Sequence, residues 1–558
     1  MIGRRVVFRG AAVLLAALVI LFVYLRFNSG PETAQTIQTL DTRDIYAINT
    51  ITGLGEAPQG TGGPAAQSAA PARIIHLNCP AEPDNLDPAF ADSSSSWILE
   101  HIMEGLYRIG PDGSAAPALA EKCDISGDGL TYTFTIRDAK WSNGDAVTAQ
   151  DFAAAWQSRL GMGPAPDSNL KLLRCVAGVR AGDDGKLTVE LSAPVPYFPV
   201  LLANPVFFPA DSKRPEAKLI PGRDTYVTCG PFVPVKWQKG GALSTVKNQQ
   251  YYNKDAVKPD GADWTFESDG EKAWRMYKAG ALDMLYPLPP AAYDELKAAD
   301  SAELFEGRGL AVYYYILNTS AKPLDNQHIR QALNLSVDRA KIIQNAPLGG
   351  AQPAYGLTPP GVYTPNGDYR QVLGNLFGYD PVQAKKLLEQ GLDEEKLSAF
   401  PNGFTILYNA GPAHKALAQA ICGMWKANLG IDIAPVEESA GDAETATEHS
   451  DFQIARSGWS SDIPDAASFL SPFTSANALN HTGWGMAKFD GLINAASAEM
   501  DAAARAGALQ SAERFLIDQS PVIPIYFYTR PYAQKAHIAG AYQPAGQNPV
   551  YIYAALTK

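Results

Sequence analysis

The segment Trp141–Trp156 constrains the fold more than any other part of the chain, because it reads as the end of a strand, a turn and the start of a helix. Gly144 and Asp145 are turn residues, since glycine accepts a positive φ and Asp bonds its own backbone. Thr148 is a favourable N-cap, and Asp151 stands where a carboxylate can bond back to the cap. The segment predicts a strand followed closely by a capped helix.

Other segments predict further strands and helices without a regular order. Tyr132–Ile136 and Lys186–Leu191 alternate apolar and polar residues, as half-buried strands do. Asp380–Glu389 begins with an Asp N-cap followed by proline, and Ala413–Leu429 repeats apolar residues at helical spacing. We find no internal repeat of the length typical of solenoids or propellers. These patterns predict a mixed α/β fold.

Length and charge narrow the function classes. A chain of 558 residues is long enough for several cores. Its net charge of −12 does not attract nucleic acid, because proteins that bind nucleic acid need a clustered basic surface. Composition therefore excludes a nucleic-acid partner and leaves enzymes and binding proteins open.

The N-terminus predicts a membrane segment. Arg4, Arg5 and Arg9 precede the apolar run Gly10–Leu25, which is slightly longer than the apolar part of a cleaved signal and lacks a clear cleavage site. We expect residues 1–27 to form an uncleaved anchor with the rest of the chain outside. A removed signal peptide, which would leave a soluble periplasmic protein, is the alternative.

Residues 28–73 predict a disordered linker. The stretch Gly53–Pro71 is rich in Gly, Pro and Ala and poor in large apolar residues. Such a segment buries too little surface to offset the entropy of ordering it. The folded part is therefore expected to begin near residue 74.

Signatures of enzymes and metal sites are missing from the sequence. The segment Gly458–Asp462 lacks the final glycine of a nucleophile elbow. His101 and Glu104 are the nearest approach to a pair of metal ligands, and such a pair on a helix is more often solvated than metal-bound. The run Ser93–Ser96 is interpreted as a polar loop or strand edge. The five cysteines form no Cys-x-x-Cys pair, and their odd number leaves at least one unpaired within a monomer. We predict no catalytic residues, metal or cofactor.

The segments Leu119–Arg137 and Trp141–Trp156, in that order, resemble the signature of the bacterial extracellular solute-binding proteins of family 5, the oligopeptide- and dipeptide-binding group. The resemblance extends from about residue 74 to the C-terminus. Several later segments are closer to the oligopeptide branch: Tyr313–Tyr315, Ile329–Leu333, Pro353–Gly356, Ala455–Trp459 and Pro524–Tyr526.

The resemblance implies a two-lobed periplasmic binding protein fold with a cleft between the lobes and an extra inserted domain. The implied boundaries are 74–107, 179–310 and 531–558 for lobe I, 108–178 for the extra domain, and 311–530 for lobe II. The implied function is a monomeric, periplasm-facing receptor that closes on an oligopeptide and delivers it to an inner-membrane ABC permease. A family member for a nickel chelate, haem or murein peptide is the alternative, followed by an exported hydrolase.

The resemblance also implies site residues. A peptide enclosed between lobes needs a carboxylate for its ammonium and a cation for its carboxylate, because an unpaired buried charge is costly. By the family pattern, Asp462 binds the amine, Arg456 aligns with an Arg that binds the peptide carboxylate, and His414 matches a His that serves longer peptides. A loop cap for Asp462, a surface ion pair for Arg456 and a plain helix-start histidine for His414 stay open. Trp459 is a candidate cleft wall or core residue, and Ser95 stands about where relatives carry a cleft Glu.

Two further departures from the family pattern concern the second lobe. Relatives of the oligopeptide branch often carry a second Arg where this chain has Thr447 or Glu448. Some relatives carry cysteines at positions that align with Ala311 and Ser460, so the chain lacks that bridge. Fewer charges in the cleft leave the preferred peptide length open.

Overall fold

The computed structural model describes residues 73–162, 169–214, 226–345 and 348–557. The predicted anchor, and the predicted linker as far as residue 72, lie outside the described residues. Residues from Pro71 onward form one compact unit. Among the helices within the four described ranges, none combines the length and apolar character that crossing a bilayer requires.

The described chain opens with strand β1 (Ile74–Cys79), a 3-10 turn (Pro88–Phe90) and helix α1 (Ser93–Ile102). The prediction that Ser93–Ser96 is a loop or strand edge is wrong. Asp92 accepts the amide of Ser95 at 2.7 Å, and the Ser95 hydroxyl accepts the amide of Asp92 at 2.8 Å. This reciprocal capping makes the serine run the first turn of a helix.

A four-stranded antiparallel sheet follows, in the order β4-β5-β7-β6. Helix α2 begins at Ala149, and the amide of Thr148 donates to Asp151 Oδ2 at 2.8 Å, so the predicted turn and capped helix are confirmed. The strand before them already ends at Ile136, and only an isolated bridge between Lys140 and Ala146 flanks the turn. The elements of this region are β2 (Tyr107–Ile109), β3 (Ala115–Pro117), β4 (Ala120–Ile125), β5 (Thr131–Ile136), α2 (Ala149–Gly161), a 3-10 turn (Asn169–Cys175), β6 (Val176–Ala181) and β7 (Leu187–Leu191).

We call β4 to β7 the inserted sheet. The predicted end of the extra domain at residue 178 falls within β6, which continues to Ala181 and pairs with β7. The alternation in 186–191 predicts a strand but carries no information on which strand it pairs with. The domain boundaries stay predictions.

The chain then completes a seven-stranded sheet in the order β12-β21-β11-β1-β10-β9-β8, where β21 is Tyr532–Gln534 from the end of the chain. We call it the sheet of the first lobe. Strand β1 lies inside it, parallel to both β10 and β11. The elements added here are α3 (Phe198–Leu201), a 3-10 turn (Pro205–Phe207), β8 (Phe232–Trp237), β9 (Ala242–Lys247), β10 (Gly261–Phe266), α4 (Gly270–Lys278), β11 (Met284–Leu285), α5 (Pro290–Ala298) and β12 (Leu304–Phe305).

The first lobe and the inserted sheet share one continuous core. Leu77 and Trp264 of the first lobe belong to the same buried cluster as Phe134 and Trp156 of the inserted sheet and its helix. Trp156 Nε1 donates to the carbonyl of Phe207 at 2.8 Å, which ties α2 to the first lobe. The inserted sheet is therefore packed rigidly against the first lobe.

A six-stranded sheet in the order β14-β20-β13-β19-β17-β18 forms the second lobe. Its strands are β13 (Arg308–Leu317), β14 (Gln352–Pro353), β17 (Thr405–Asn409), β18 (Ala434–Glu438), β19 (Ile454–Ser460) and β20 (Val522–Thr529), beside the hairpin β15 (Tyr363–Thr364) and β16 (Gly367–Asp368). Its helices are α6 (Gln327–Leu335), α7 (Arg339–Asn345), α8 (Tyr369–Leu373), α9 (Pro381–Glu394), α10 (Pro412–Leu429), α11 (Ala440–Glu448), α12 (Ala467–Leu470), α13 (Ala487–Ala498) and α14 (Ala502–Gln519), with a 3-10 turn at Ser471–Phe473.

Two predicted helices of the second lobe are confirmed. Asp380 accepts the amide of Gln383 at 2.9 Å and caps α9, which continues to Glu394. Helix α10 buries Leu417 and Trp425 against one face of the sheet, as the apolar spacing predicted. A second buried cluster covers the opposite face, so the sheet lies between two cores.

The chain crosses between the lobes twice, from β12 into β13 and from β20 into β21 (Tyr532–Gln534). The amide of Arg530 donates to the carbonyl of Gly307 at 2.7 Å, which joins the two crossing segments. The chain ends with β22 (Ile538–Ala539) and β23 (Ala555–Leu556) beside the first lobe. The fold is the two-lobed α/β architecture with an inserted domain that the sequence predicted.

Candidate functional site

Strand β19 has an open edge where it approaches the first lobe. Strand β17 pairs with β19 only at Ile406↔Ile454 and Leu407↔Ala455, and then diverges toward helix α10. Strand β13 accompanies β19 on its other side as far as Ala311↔Ser460. The later residues of β19 are therefore paired on one side only.

The direction of the backbone groups on this edge follows from the antiparallel ladder. The amide of Ser461 donates to the carbonyl of Leu310 at 2.9 Å, which makes these two residues a hydrogen-bonded pair. In such a ladder alternate residues point their N–H and C=O groups away from the partner strand. Gly458 and Ser460 therefore direct their backbone groups toward the open side, where an added strand can bond to them.

A cationic and aromatic cluster lies beside this edge. The guanidinium carbon of Arg456 lies 4.9 Å from the ring centroid of Tyr313, and its Nε is buried without a hydrogen-bond partner among the described residues. His414, near the start of α10, stacks on Tyr313, and its Nδ1 lies 3.2 Å from the Tyr313 hydroxyl. Tyr526 also stacks on Tyr313, with the ring centroids 4.9 Å apart. The structure thus brings together two predicted site residues, Arg456 and His414.

The charges of the cluster are fixed by its surroundings. Burial lowers the pKa of His414 below its usual value, and the nearby Arg456 lowers it further. His414 is consequently neutral at pH 7 and acts as a hydrogen-bonding group. The guanidinium of Arg456 supplies the positive charge of the cluster.

Asp462 follows the end of β19 on a short ordered loop. The Ser461 hydroxyl accepts the amide of Ile463 at 3.0 Å and donates to its carbonyl at 2.8 Å, which holds the loop on both sides of Asp462. The Asp462 side chain is 64% exposed, and its Oδ2 lies 3.7 Å from Nζ of Lys171. A carboxylate therefore stands at one end of the open edge and a guanidinium at the other.

The other two predicted site residues lie elsewhere. Trp459 is opposite Val312 and packs against the core on the face of the sheet that Arg456 does not occupy. Ser95 is 3% exposed and its hydroxyl caps α1, so the expected cleft loop is a helix here. Lys171 and Tyr526 were missed, because no local pattern shows that either one approaches β19.

No cluster of three or more His, Cys, Asp or Glu side chains suited to a metal ion occurs among residues 73–162, 169–214, 226–345 and 348–557. The cysteines are all unpaired in the described part of the chain. The site is built from a strand edge, aromatic rings and opposite charges.

Two lobes joined by two crossing segments, with a strand edge and opposite charges beside the boundary, define a solute-binding protein. The family model described as bacterial extracellular solute-binding proteins, family 5 Middle, matches residues 114–480, and the chain belongs to this family. Members of the family are binding proteins.

Relatives and solved structures agree with this assignment. The oligopeptide-binding protein OppA of Bacillus subtilis (strain 168) is 38% identical over 507 residues, which cover 86% of this chain and 91% of the relative. The dipeptide-binding protein DppE of the same organism is 34% identical over 487 residues, covering 84% and 89%. The unliganded open form of MppA, a periplasmic murein tripeptide binding protein, has a TM-score of 0.79 at 26% identity, covering 88% of this chain and 98% of that one.

A second solved structure, a complex with peptide, is less similar to this chain. Haemophilus influenzae OppA in complex with the peptide RPPGFSPFR is 29% identical and covers 88% of this chain and 100% of that one, yet its TM-score is 0.58. The higher score belongs to the structure described as open and unliganded. The structure therefore superimposes better on that open form than on the peptide complex.

Proposed function

We propose that this chain is the peptide-binding receptor of an ABC importer. The observation that carries the proposal is the open edge of β19, with Asp462 beyond one end and Arg456 with His414 at the other. An extended peptide adds to such an edge through main-chain hydrogen bonds, which do not depend on side-chain identity. The carboxylate and the guanidinium then pair with its two charged termini. The relatives named as oligopeptide- and dipeptide-binding proteins support this ligand class.

The spacing of the charges favours short peptides. Arg456 leans along the strand, because its Nη2 lies 3.9 Å from the position that a Cβ on Gly458 would take. Four residue steps from Gly458 to Asp462 span roughly 13 Å at the rise of a β-strand. An extended chain of roughly three to four residues places its termini at that separation. We therefore propose tri- and tetrapeptides as the preferred ligands.

The proposal includes the location, partner and anchoring of the receptor. It is a monomer that faces the periplasm, delivers peptide to an inner-membrane permease and is held at the membrane by residues 1–27 as an uncleaved anchor. The basic residues before the apolar run Gly10–Leu25 support this orientation. Intact-mass analysis of protein extracted from membranes tests the anchor. A mature chain that begins near Met1 supports it, and a start between residues 27 and 75 contradicts it.

Native mass spectrometry of the purified full-length protein tests the ligand class. Adducts with the masses of short peptides support the proposal, whereas a nickel chelate or haem mass contradicts it. Calorimetry with a tripeptide and its N-acetylated form provides the chemical control, because acetylation removes the ammonium that Asp462 would bind. Equal affinities for the two forms would show that the amine site is misplaced.

A further inference from the structure

One ion pair joins the second lobe to the part of the chain that packs on the first lobe. Lys171 lies in the 3-10 turn Asn169–Cys175, immediately before strand β6 of the inserted sheet, and Asp462 follows β19 of the second lobe. Their charged atoms are 3.7 Å apart. Lys171 therefore pairs with the same Asp462 carboxylate that, in the proposed function, binds the peptide ammonium.

The backbone on the Lys171 side is held in place. Leu170 and Leu173 are buried on either side of Lys171, and Asn169 Nδ2 donates to the carbonyl of Ala91 at 3.2 Å. The turn cannot move away from the first lobe without exposing these leucines. Lys171 is therefore anchored at its backbone while its side chain remains 44% exposed.

The backbone on the Asp462 side is held as well. Ile463 packs against the core of the first lobe, one residue after Asp462. Asp465 binds Arg505 through two hydrogen bonds of 2.6 and 2.9 Å, and the guanidinium of Arg505 lies over the ring of Tyr197 at 5.7 Å. The two charged residues are thus presented to each other by packed surroundings on both sides of the lobe boundary.

We propose that Lys171 is a specificity-determining residue that selects peptides with an acidic side chain near the amino terminus. This inference rests on the proposed function. Lys171 and a peptide terminus are both ammonium ions, so they compete for the Asp462 carboxylate. An ion pair this exposed is weak, and a ligand ammonium displaces Lys171 with little loss.

The displaced Lys171 remains beside the bound amino terminus, because its backbone is anchored. Its charge there repels a second cation and attracts a carboxylate, with a strength that salt reduces. A glutamate side chain at the first position of the peptide forms an ion pair with the Lys171 ammonium. A lysine side chain at that position places two ammonium groups beside each other, which repel. The selected ligand class is therefore short peptides with an acidic amino-terminal residue.

Calorimetry on the purified full-length protein tests this with trialanine and with the same peptide carrying glutamate or lysine as its first residue. The wild type should bind the glutamate peptide about two- to fivefold more tightly than trialanine and the lysine peptide more weakly by a similar factor. Lys171→Met should remove both differences and bind trialanine more tightly, and Lys171→Glu should invert the order.

Lys122→Met provides the matched control, since Lys122 is 65% exposed and pairs with Asp124 at 2.7 Å on the inserted sheet, away from β19. It should leave all three affinities unchanged. A Lys171→Met protein that binds all three peptides as the wild type does overturns the role of Lys171 and leaves the proposed function standing. A wild type that binds none of them overturns both. Lys171→Gln gives a second neutral variant if the Met variant folds poorly.

Discussion

Ala311 and Ser460 lie directly opposite each other on the antiparallel strands β13 and β19. The neighbouring bond from the Ser461 amide to the Leu310 carbonyl makes them a non-hydrogen-bonded pair, in which side chains approach most closely. These are the positions at which some relatives were expected to carry cysteines. Their pairing means that cysteines at these two positions of this chain would face each other.

We predict that Ala311→Cys combined with Ser460→Cys forms a disulfide under oxidising conditions. The pair distance suits disulfide geometry, and a bond that closes a long loop stabilises by about 2–4 kcal/mol. Thiol titration should find two fewer free thiols than in the unoxidised double variant, and the melting temperature should fall when reductant is added. The control is Ala311→Cys with Ser457→Cys, because Ser457 is opposite Tyr314 and should not form the bond.

Asp462→Asn should weaken peptide binding while leaving the fold intact. The substitution keeps the shape and removes the countercharge, and a ligand ammonium left without its partner in a closed cleft costs about 2–5 kcal/mol. This corresponds to at least about a thirtyfold loss of affinity. Calorimetry measures the loss, and thermal unfolding without ligand should be unchanged because the side chain is 64% exposed. Wild-type affinity in the variant would remove Asp462 from the site.

Peptide should make the protein more compact. The structure resembles an open, unliganded relative more closely than a peptide complex, with TM-scores of 0.79 and 0.58. A ligand that binds the closed state better shifts the population toward it. Small-angle scattering on the compact unit from Pro71 onward should show a smaller radius of gyration with tripeptide than without it. An unchanged radius at a peptide concentration that saturates the protein by calorimetry would contradict lobe closure.

His101 should make the protein less stable in mild acid. The His101 ring is fully buried, and its Nδ1 donates to the carbonyl of Trp97 at 2.8 Å. Its Nε2 accepts the amide of Tyr551 at 3.4 Å, so protonation of Nε2 would break this bond. Burial lowers the pKa of His101 to about 3. In the unfolded chain the histidine binds a proton near pH 6.5, whereas in the folded chain it stays neutral at that pH. The free energy of unfolding therefore decreases as the pH falls below about 6.5, by about 1.4 kcal/mol per pH unit.

Urea unfolding at several pH values checks this effect. His101→Phe keeps a ring beside Tyr551 and should flatten the pH dependence between about 6.5 and 4, although its stability at neutral pH should be lower. His449→Gln, at an exposed position after α11, is the control and should keep the wild-type slope. A His101→Phe variant with the full wild-type slope would assign the acid sensitivity to other groups.

Gly307→Ala should destabilise the crossing between the lobes. A Cβ at this position would overlap the carbonyl oxygen of Arg530, which belongs to the backbone and cannot rotate away as a side chain can. Overpacking of this kind typically costs about 1–3 kcal/mol. Chemical unfolding should show the loss, whereas Gly378→Ala, whose Cβ meets nothing within 4 Å, should not. Equal stability of the two variants would show that the crossing segments adjust freely.

The sequence by itself determined the local elements, because caps and periodicity act within a few residues. Asp380 caps α9 and Asp151 bonds back to Thr148 through neighbours that the sequence already places together. The interpretation of Ser93–Ser96 is wrong because two local signals compete there. A run of serines predicts a loop or strand edge, whereas Asp92 and Ser95 form a capping box that starts a helix.

Tertiary structure alone decided how distant segments combine at the site. The cluster of Tyr313, His414 and Arg456 forms because β13, β19 and α10 pack side by side. The sequence of a strand does not specify which strand or helix lies next to it. The family resemblance supplied Asp462 and Arg456, but it gave no indication that Lys171 faces Asp462 across the lobe boundary. That contact depends on the packing of two cores, a sum of many weak interactions between residues far apart in the chain.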